Sequence, residues 1–227
     1  QVSLDLNRLA AEMHALSRAK ADMAILYAYS SLLPSMDYVQ EAKAAFEGVY
    51  FTDAVCDFIT ERQIEAGALE QYKFVIVPHA THAPDVVVHA FQQYIEKGGA
   101  VMTVGPCFIR DEYGRSRSQG LEQTGSGRLA VYPDTLSPYA YRDIAGNLLD
   151  ELGVMRPVRL EGAYQEPVWG VNLRAVPYQG KWLVNLLNLT REPRQLCLKM
   201  NPPVQGGVDL IHDLEFRFPL QVKPMAP

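Results

Sequence analysis

Residues 72–115 read YKFVIVPHATHAPDVVVHAFQQYIEKGGAVMTVGPCFIRDEYGR. Residues 73–77 form a short apolar run. Val87, Val88, Phe91, Tyr94 and Ile95 then follow at the spacing of one helix face, and Gly98 and Gly99 stand where a helix must turn back. A second apolar strand comes next, followed by an open loop that carries Cys107 and the cluster Asp111, Glu112, Tyr113, Gly114 and Arg115. This is the pattern of a βαβ unit. Two apolar strands joined by one helix lie parallel with a right-handed crossover, so the loops after them leave on the same edge of the sheet. Ligands and catalytic groups of open α/β sheets gather on that edge.

Working outward, MAILYAY at 23–29 is the first strand. A Ser-Ser-Leu-Leu-Pro loop leads to a helix over about 36–50, residues 54–59 make a second strand, and 61–71 make a brief helical turn. Downstream, 129–132 is a fifth strand and 139–152 a closing helix stopped by Gly153. Five strands alternating with helices predict a flavodoxin-like doubly wound parallel sheet with order 2-1-3-4-5. Before it, Leu4, Leu6, Leu9, Met13 and Leu16 give an amphipathic helix capped by Ser3. Its apolar face needs a partner, either later in the chain or in a preceding N-terminal domain.

After Pro157 the period changes. Residues 158–160, 168–176, 181–189, 194–200, 208–212 and 215–222 are short β-rich runs separated by Gly, Pro and Asn, which predicts a small antiparallel β-sandwich. The expected organisation is a leading helix and linker over 1–21, an α/β domain over 22–156 and an all-β domain over 157–227. The polar, Gly- and Ser-rich stretch 115–128 is expected to be a mobile loop.

The 227 residues are 48% hydrophobic with a formal net charge of -5 and a pI near 5.6, which argues against nucleic acid or an anionic membrane surface as the main partner. No apolar run approaches a membrane span. Three widely spaced cysteines, Cys56, Cys107 and Cys197, fit neither a disulfide framework nor a zinc site, and the compartment stays open. The chain begins with Gln1 and shows no signal-peptide pattern, as expected of a processed product or a piece of a longer chain.

Cys107 lies beyond a parallel strand with His79 and His82 on the neighbouring loop, the raw material of a Cys-His nucleophile pair. Pro106 and Phe108 oppose that reading, because a nucleophile elbow needs small residues on both sides. Cys107 is expected to be structural, and Cys56 and Cys197 to be core. His79, His82 and His89 lack a ligand set of recognisable spacing, so no metal is expected; Thr81 or Asp85 would cap the following helix. Asp111 and Glu112 offer two carboxylates, but neighbours in extended chain point opposite ways, so they are read as a contact loop rather than a catalytic pair. Tyr113 and Arg115 suit a sugar or protein contact. Gly125-Ser126-Gly127 lacks the Lys-Ser/Thr of a phosphate loop and no G-x-G-x-x-G follows the first strand, so no nucleotide cofactor is expected. Asn188-Leu189-Thr190 matches a glycosylation sequon inside an expected strand and is read as chance.

Three stretches taken together, LNRLAAEMHALSRAKADMAILYAYSS at 6–31, the opening segment, and DIAGNLLDELGV at 143–154, resemble the trimerisation domain of glycoside hydrolase family 42 β-galactosidases. KWLVNLLN at 181–188 and VDLI at 208–211 look like the small all-β domain that follows in such enzymes. The resemblance implies a class I glutamine amidotransferase-like fold, self-association as a homotrimer, and catalytic glutamates in an N-terminal (β/α)8 barrel of the same polypeptide. It places the amidotransferase nucleophile near Gly105, so Cys107 is displaced from it. The expected function is that of a non-catalytic C-terminal region of a glycoside hydrolase, lending the loop from Asp111 to Arg115 to a neighbouring subunit's substrate cleft. Two other readings stay open: a Cys-His hydrolase using Cys107, and a carbohydrate-binding module with Trp169, Tyr178 and Trp182 as its platform.

Overall fold

The computed structural model describes residues 4, 7–162, 166, 168–200 and 203–224. The apolar runs in the first part of the chain become β1 (Met23–Tyr27), β2 (Cys56–Thr60), β3 (Phe74–Pro78), β4 (Ala100–Val104) and β5 (Arg128–Tyr132). All are parallel, in the order β2-β1-β3-β4-β5, as the sequence implied. Every residue of β3 and β4 is buried. Helices cover both faces of these strands, so they read as unbroken apolar runs rather than as alternation.

The period of two sorts each strand's side chains between two cores. Ala24, Leu26, Val75, Val77 and Val101 meet Val87, Phe91 and Ile95 of α5 (Asp85–Glu96) and Ile64 of α4 (Glu61–Glu65). Met23, Ile25, Phe74, Ile76 and Met102 meet Ala45 and Val49 of α3 (Met36–Val49), and Tyr141, Ala145 and Leu149 of α6 (Pro138–Glu151). A short α2 (Tyr29–Leu32) follows β1. Ser35 and Ser137 cap α3 and α6 by accepting from the backbone N–H of Tyr38 and Ala140. Where those two helices cross, the buried Glu41 carboxylate accepts from the Tyr141 hydroxyl (2.8 Å) and the Leu136 N–H (2.9 Å).

Residues 21–154 form one compact unit; residues 1–20 and 155–227 form the other. In the second unit, β6 (Val158–Gly162), β7 (Val171–Tyr178), β8 (Lys181–Asn188), β9 (Arg194–Met200), β10 (Gly206–Asp209), β11 (Leu214–Arg217) and β12 (Leu220–Val222) make small antiparallel sheets. The sheet β12-β9-β6 and the hairpin β7-β8 enclose Val158, Leu160, Val171, Leu173 and Leu196. The run expected over 215–222 is two strands, because Pro219 has no N–H to continue the ladder. The leading helix α1 (Ala10–Ser17) packs on β7 and β8, where Glu12 accepts from the Tyr178 hydroxyl (3.1 Å). Its expected cap Ser3 and apolar residue Leu6 lie outside the described residues, while Leu4 and Met13 are exposed. Cys56 and Cys197 are half-buried rather than fully buried: Cys56 packs against the second core of the α/β unit, and Cys197 lies in β9, the middle strand of its sheet. The Asn188 side chain is buried and donates to the Glu192 and Val222 carbonyls, so the sequon is part of the fold. No helix among the described residues is long and apolar enough to cross a membrane.

Gly48 sets the approach of α3 to α6. A Cβ there would lie 2.4 Å from the Pro138 carbonyl oxygen and 2.5 Å from Tyr141 Cβ. Gly48→Ala is therefore expected to destabilise by about 1–3 kcal/mol, even though alanine is the better helix former by about 1 kcal/mol. Urea unfolding measures this, and a variant as stable as the parent would show that the helix contact is loose.

Candidate functional site

The loop after β4 is built around its first four residues. Gly105 has φ +67° and donates its N–H to the Tyr132 carbonyl (2.8 Å). A Cβ on it would stand 2.5 Å from His79 Nδ1. A larger residue at this position would require the His79 ring to shift. Cys107 turns inward, its Sγ 3.3 Å from the Val77 carbonyl oxygen and 3.5 Å from that of Val104. Burial pushes its thiol up to about 12. Phe108 is 1% exposed and packs 5.5 Å from the Phe91 ring, and its N–H donates to the Ala80 carbonyl (2.7 Å). The bulky residue that spoils the elbow is a core anchor for the loop.

Arg117 ties the loop down, and the sequence reading missed it. Its side chain is 13% exposed; Nη1 donates to the Phe108 (3.0 Å) and Arg110 (2.9 Å) carbonyls, Nη2 donates to the Ala83 carbonyl (2.9 Å), and the guanidinium also pairs with Asp85. The Arg117 N–H donates to the Ile109 carbonyl (2.8 Å), and Gln92 of α5 bonds Glu122 and Thr124 further along. The expected mobile loop is thus hydrogen-bonded to α5 and to itself. Asp85, expected as a cap, serves as the Arg117 partner instead; Pro84 occupies the cap position of α5 and no side chain caps it. A single arginine in a Gly- and Ser-rich stretch gives no local signal of this role, since its acceptors are backbone carbonyls from three separate positions.

The four site residues fall into two roles. Asp111 is an internal brace: Oδ1 accepts from the N–H groups of Tyr113 and Arg115 (2.9 Å each), and Oδ2 from Arg115 Nε. Burial opposes its charge, but the hydrogen bonds from Arg115 and Tyr113 outweigh that and hold the carboxyl below its usual range. Asp111 is covered by its own turn, which lies at the surface. Arg110 Nη1 closes that turn by donating to the Gly114 carbonyl (2.9 Å). Glu112 is exposed and its carboxylate enters no hydrogen bond among the described residues. Tyr113 is 76% exposed, and the Arg115 guanidinium lies 5.2 Å from its ring centroid. The two adjacent carboxylates have different surroundings, but in a turn closed by the Gly114 N–H donating to the Asp111 carbonyl (3.0 Å), not in the extended chain expected from the sequence.

The histidines are dispersed. His79 Nε2 is 3.9 Å from Asp37, His82 Nδ1 is 2.9 Å from the Thr81 hydroxyl, and His89 meets Gln93. Burial, with Arg110 nearby, holds His82 below its usual range. Among the described residues no three His, Cys, Asp or Glu side chains come close enough to hold a metal. In the second unit, Trp169 precedes β7 while Tyr178 ends it, and seven residue steps of strand, about 23 Å, separate Val171 from Tyr178. Trp169, Tyr178 and Trp182 do not form a common platform.

No family model matches the sequence, and no curated protein matches it significantly. Solved structures do match. The fold is one found in glycoside hydrolase family 42 enzymes. The apo exo-carrageenase of that family from Bacteroides ovatus matches with a TM-score of 0.81 at 18% identity, over 97% of this chain and 30% of that one. A β-galactosidase from Bacillus circulans sp. alkalophilus gives 0.71 at 14% identity, over 97% and 42%. A catalytic mutant of a family 42 β-galactosidase from G. stearothermophilus gives 0.70 at 15% identity, over 90% and 39%. The chain spans less than half the length of each, and at these identities the likeness concerns the fold.

Two outcomes are expected. Arg117→Ala leaves the Phe108, Arg110 and Ala83 carbonyls without their donor, so hydrogen-exchange protection at Arg110, Asp111 and Arg115 should fall by about tenfold or more. Arg117→Lys should not restore it, because an ammonium cannot span the planar fork; unchanged protection in the alanine variant would show that the loop is held elsewhere. Cys107 should react with iodoacetamide at neutral pH more slowly than a free cysteine, and a rate equal to or above that of the free thiol would restore the nucleophile reading.

Proposed function

We propose that this chain is a non-catalytic C-terminal region of a multidomain, β-galactosidase-like glycoside hydrolase. In this reading its α/β unit is amidotransferase-like and serves oligomerisation as a homotrimer, and the loop bearing Asp111, Glu112, Tyr113 and Arg115 completes a neighbouring subunit's substrate cleft. The catalytic carboxylates belong to an N-terminal (β/α)8 barrel of the same polypeptide. The observation that carries the reading is the match of 90–97% of this chain to only 30–42% of family 42 glycosidases, which leaves most of each enzyme for another part. The chemistry of the chain itself supports it. A glycine stands at 105, where the resemblance puts the nucleophile, the Cys107 thiol is half-buried and pushed up to about 12, and Asp111 is occupied by its own turn.

Multi-angle light scattering over a concentration series tests the assembly: a trimer is expected, and a strictly monomeric species at the highest concentration would count against it. The chain is also expected to leave nitrophenyl galactosides intact. Hydrolysis by the purified chain that Glu112→Gln abolishes would overturn the non-catalytic assignment.

A further inference from the structure

We infer that two copies of this chain associate through the free edge of β2, strand to strand and antiparallel about a two-fold axis. This contact is separate from the homotrimer proposed above, and a chain that makes both closes as a hexamer.

The two edges of the parallel sheet are finished differently. At β5 the Gln123 side chain lies along the strand like a short partner: its Oε1 accepts from the Leu129 N–H (2.6 Å) and its Nε2 donates to the Gly127 carbonyl (2.8 Å), while Arg128 pairs with Glu151. Cover and charge of this kind keep an edge from recruiting another strand. At β2 the nearest glutamine, Gln63, bonds only the last residue of the strand, Thr60, as part of the α4 cap. The middle of β2 stays open. Among the described residues no strand pairs on its outer side, and Asp57 and Phe58, whose side chains leave opposite faces, are both exposed.

Beside that edge runs a ladder of rings. Tyr29 meets Tyr27 (centroids 5.0 Å apart), Tyr27 meets Phe58 (6.4 Å), and Phe58 meets Phe46 of α3 (5.4 Å). Phe46, Phe58 and Tyr29 remain 40%, 44% and 54% exposed. Successive ring planes are inclined at 84°, 89° and 33°, so the ladder offers no flat platform to a sugar, whereas aromatic side chains beside an open strand edge suit a protein strand.

The sequence of β2 accepts its own copy. With the two-fold axis at Phe58, that ring faces its counterpart, Asp57 faces Ile59 and Cys56 faces Thr60. No like charges stand opposite, and the central pair is aromatic on aromatic, a favourable cross-strand combination. On α3, exposed Lys43 and Glu47 flank Phe46, so the rim carries both signs. Covering the exposed parts of Phe46, Phe58 and Tyr29 removes roughly 200–350 Å² per copy from water. That is below the ~800 Å² per partner of a standard interface, so the pairing is weak and follows concentration.

Sedimentation velocity over a concentration series tests this. Reversible association into even-numbered species is expected, with a Kd on the order of 10–100 μM. Phe58→Asp sets two carboxylates opposite one another and should weaken pairing by about tenfold or more; Val131→Asp, at a residue 62% exposed on the other edge strand, should leave it within about twofold. Phe58→Cys should cross-link two copies on mild oxidation, and Asp57→Cys, which faces Ile59, should not exceed the parent. The cross-link decides the matter even if Phe58→Asp fails to fold. Absence of any even-numbered species, pairing undiminished in Phe58→Asp, or no cross-link through position 58 would overturn the inference. A trimer alone sinks this contact and leaves the three-fold assembly, and a dimer alone does the reverse.

Discussion

Burial of both faces of the parallel sheet is the constraint on which the α/β unit depends. Phe74, Val75, Ile76 and Val77 of β3 are fully buried, each contributing roughly 1.5–3 kcal/mol, and their alternation divides them between two helical layers. A strand buried on both sides cannot slip by one residue without exchanging its two sets of side chains. Strand direction follows from the right-handed crossover, and the two together place the loops after β3 and β4 side by side. The contacts of Arg110 with Thr81 and Ala83 are the direct result.

That adjacency turns a polar loop into a defined surface. The chain after β4 is fixed at Gly105 by close approach to His79, at Phe108 by core packing, and at Arg117 by a guanidinium shared among carbonyls and Asp85. Each anchor adds rigidity to the loop. Gly105 lies close to the His79 ring, Cys107 contacts the Val77 and Val104 carbonyls, and Asp111 is bound within its own turn. What the loop keeps exposed at its tip is the Tyr113 ring, the Arg115 guanidinium and the Glu112 carboxylate.

The second unit rests on a smaller core, with Val158, Leu160, Val171, Leu173 and Leu196 between a three-stranded sheet and a hairpin. The leading helix lies against β7 and β8, a partner found more than 150 residues later in the chain, with none of its residues Ala10–Ser17 buried. Its lone helical period told that a partner was needed, and only the folded chain told which.

By itself the sequence determined the five parallel strands, their order and the change to antiparallel structure after Pro157. All of these rest on local periodicity, or on a chirality rule that every such chain obeys. Tertiary structure alone decided the role of Arg117, the close approach of His79 to Gly105, the inward turn of Cys107 and the separation of Trp169 from Tyr178. These depend on which backbone carbonyls and side chains meet across loops distant in sequence, and a period of 2 or 3.6 residues carries no information about that.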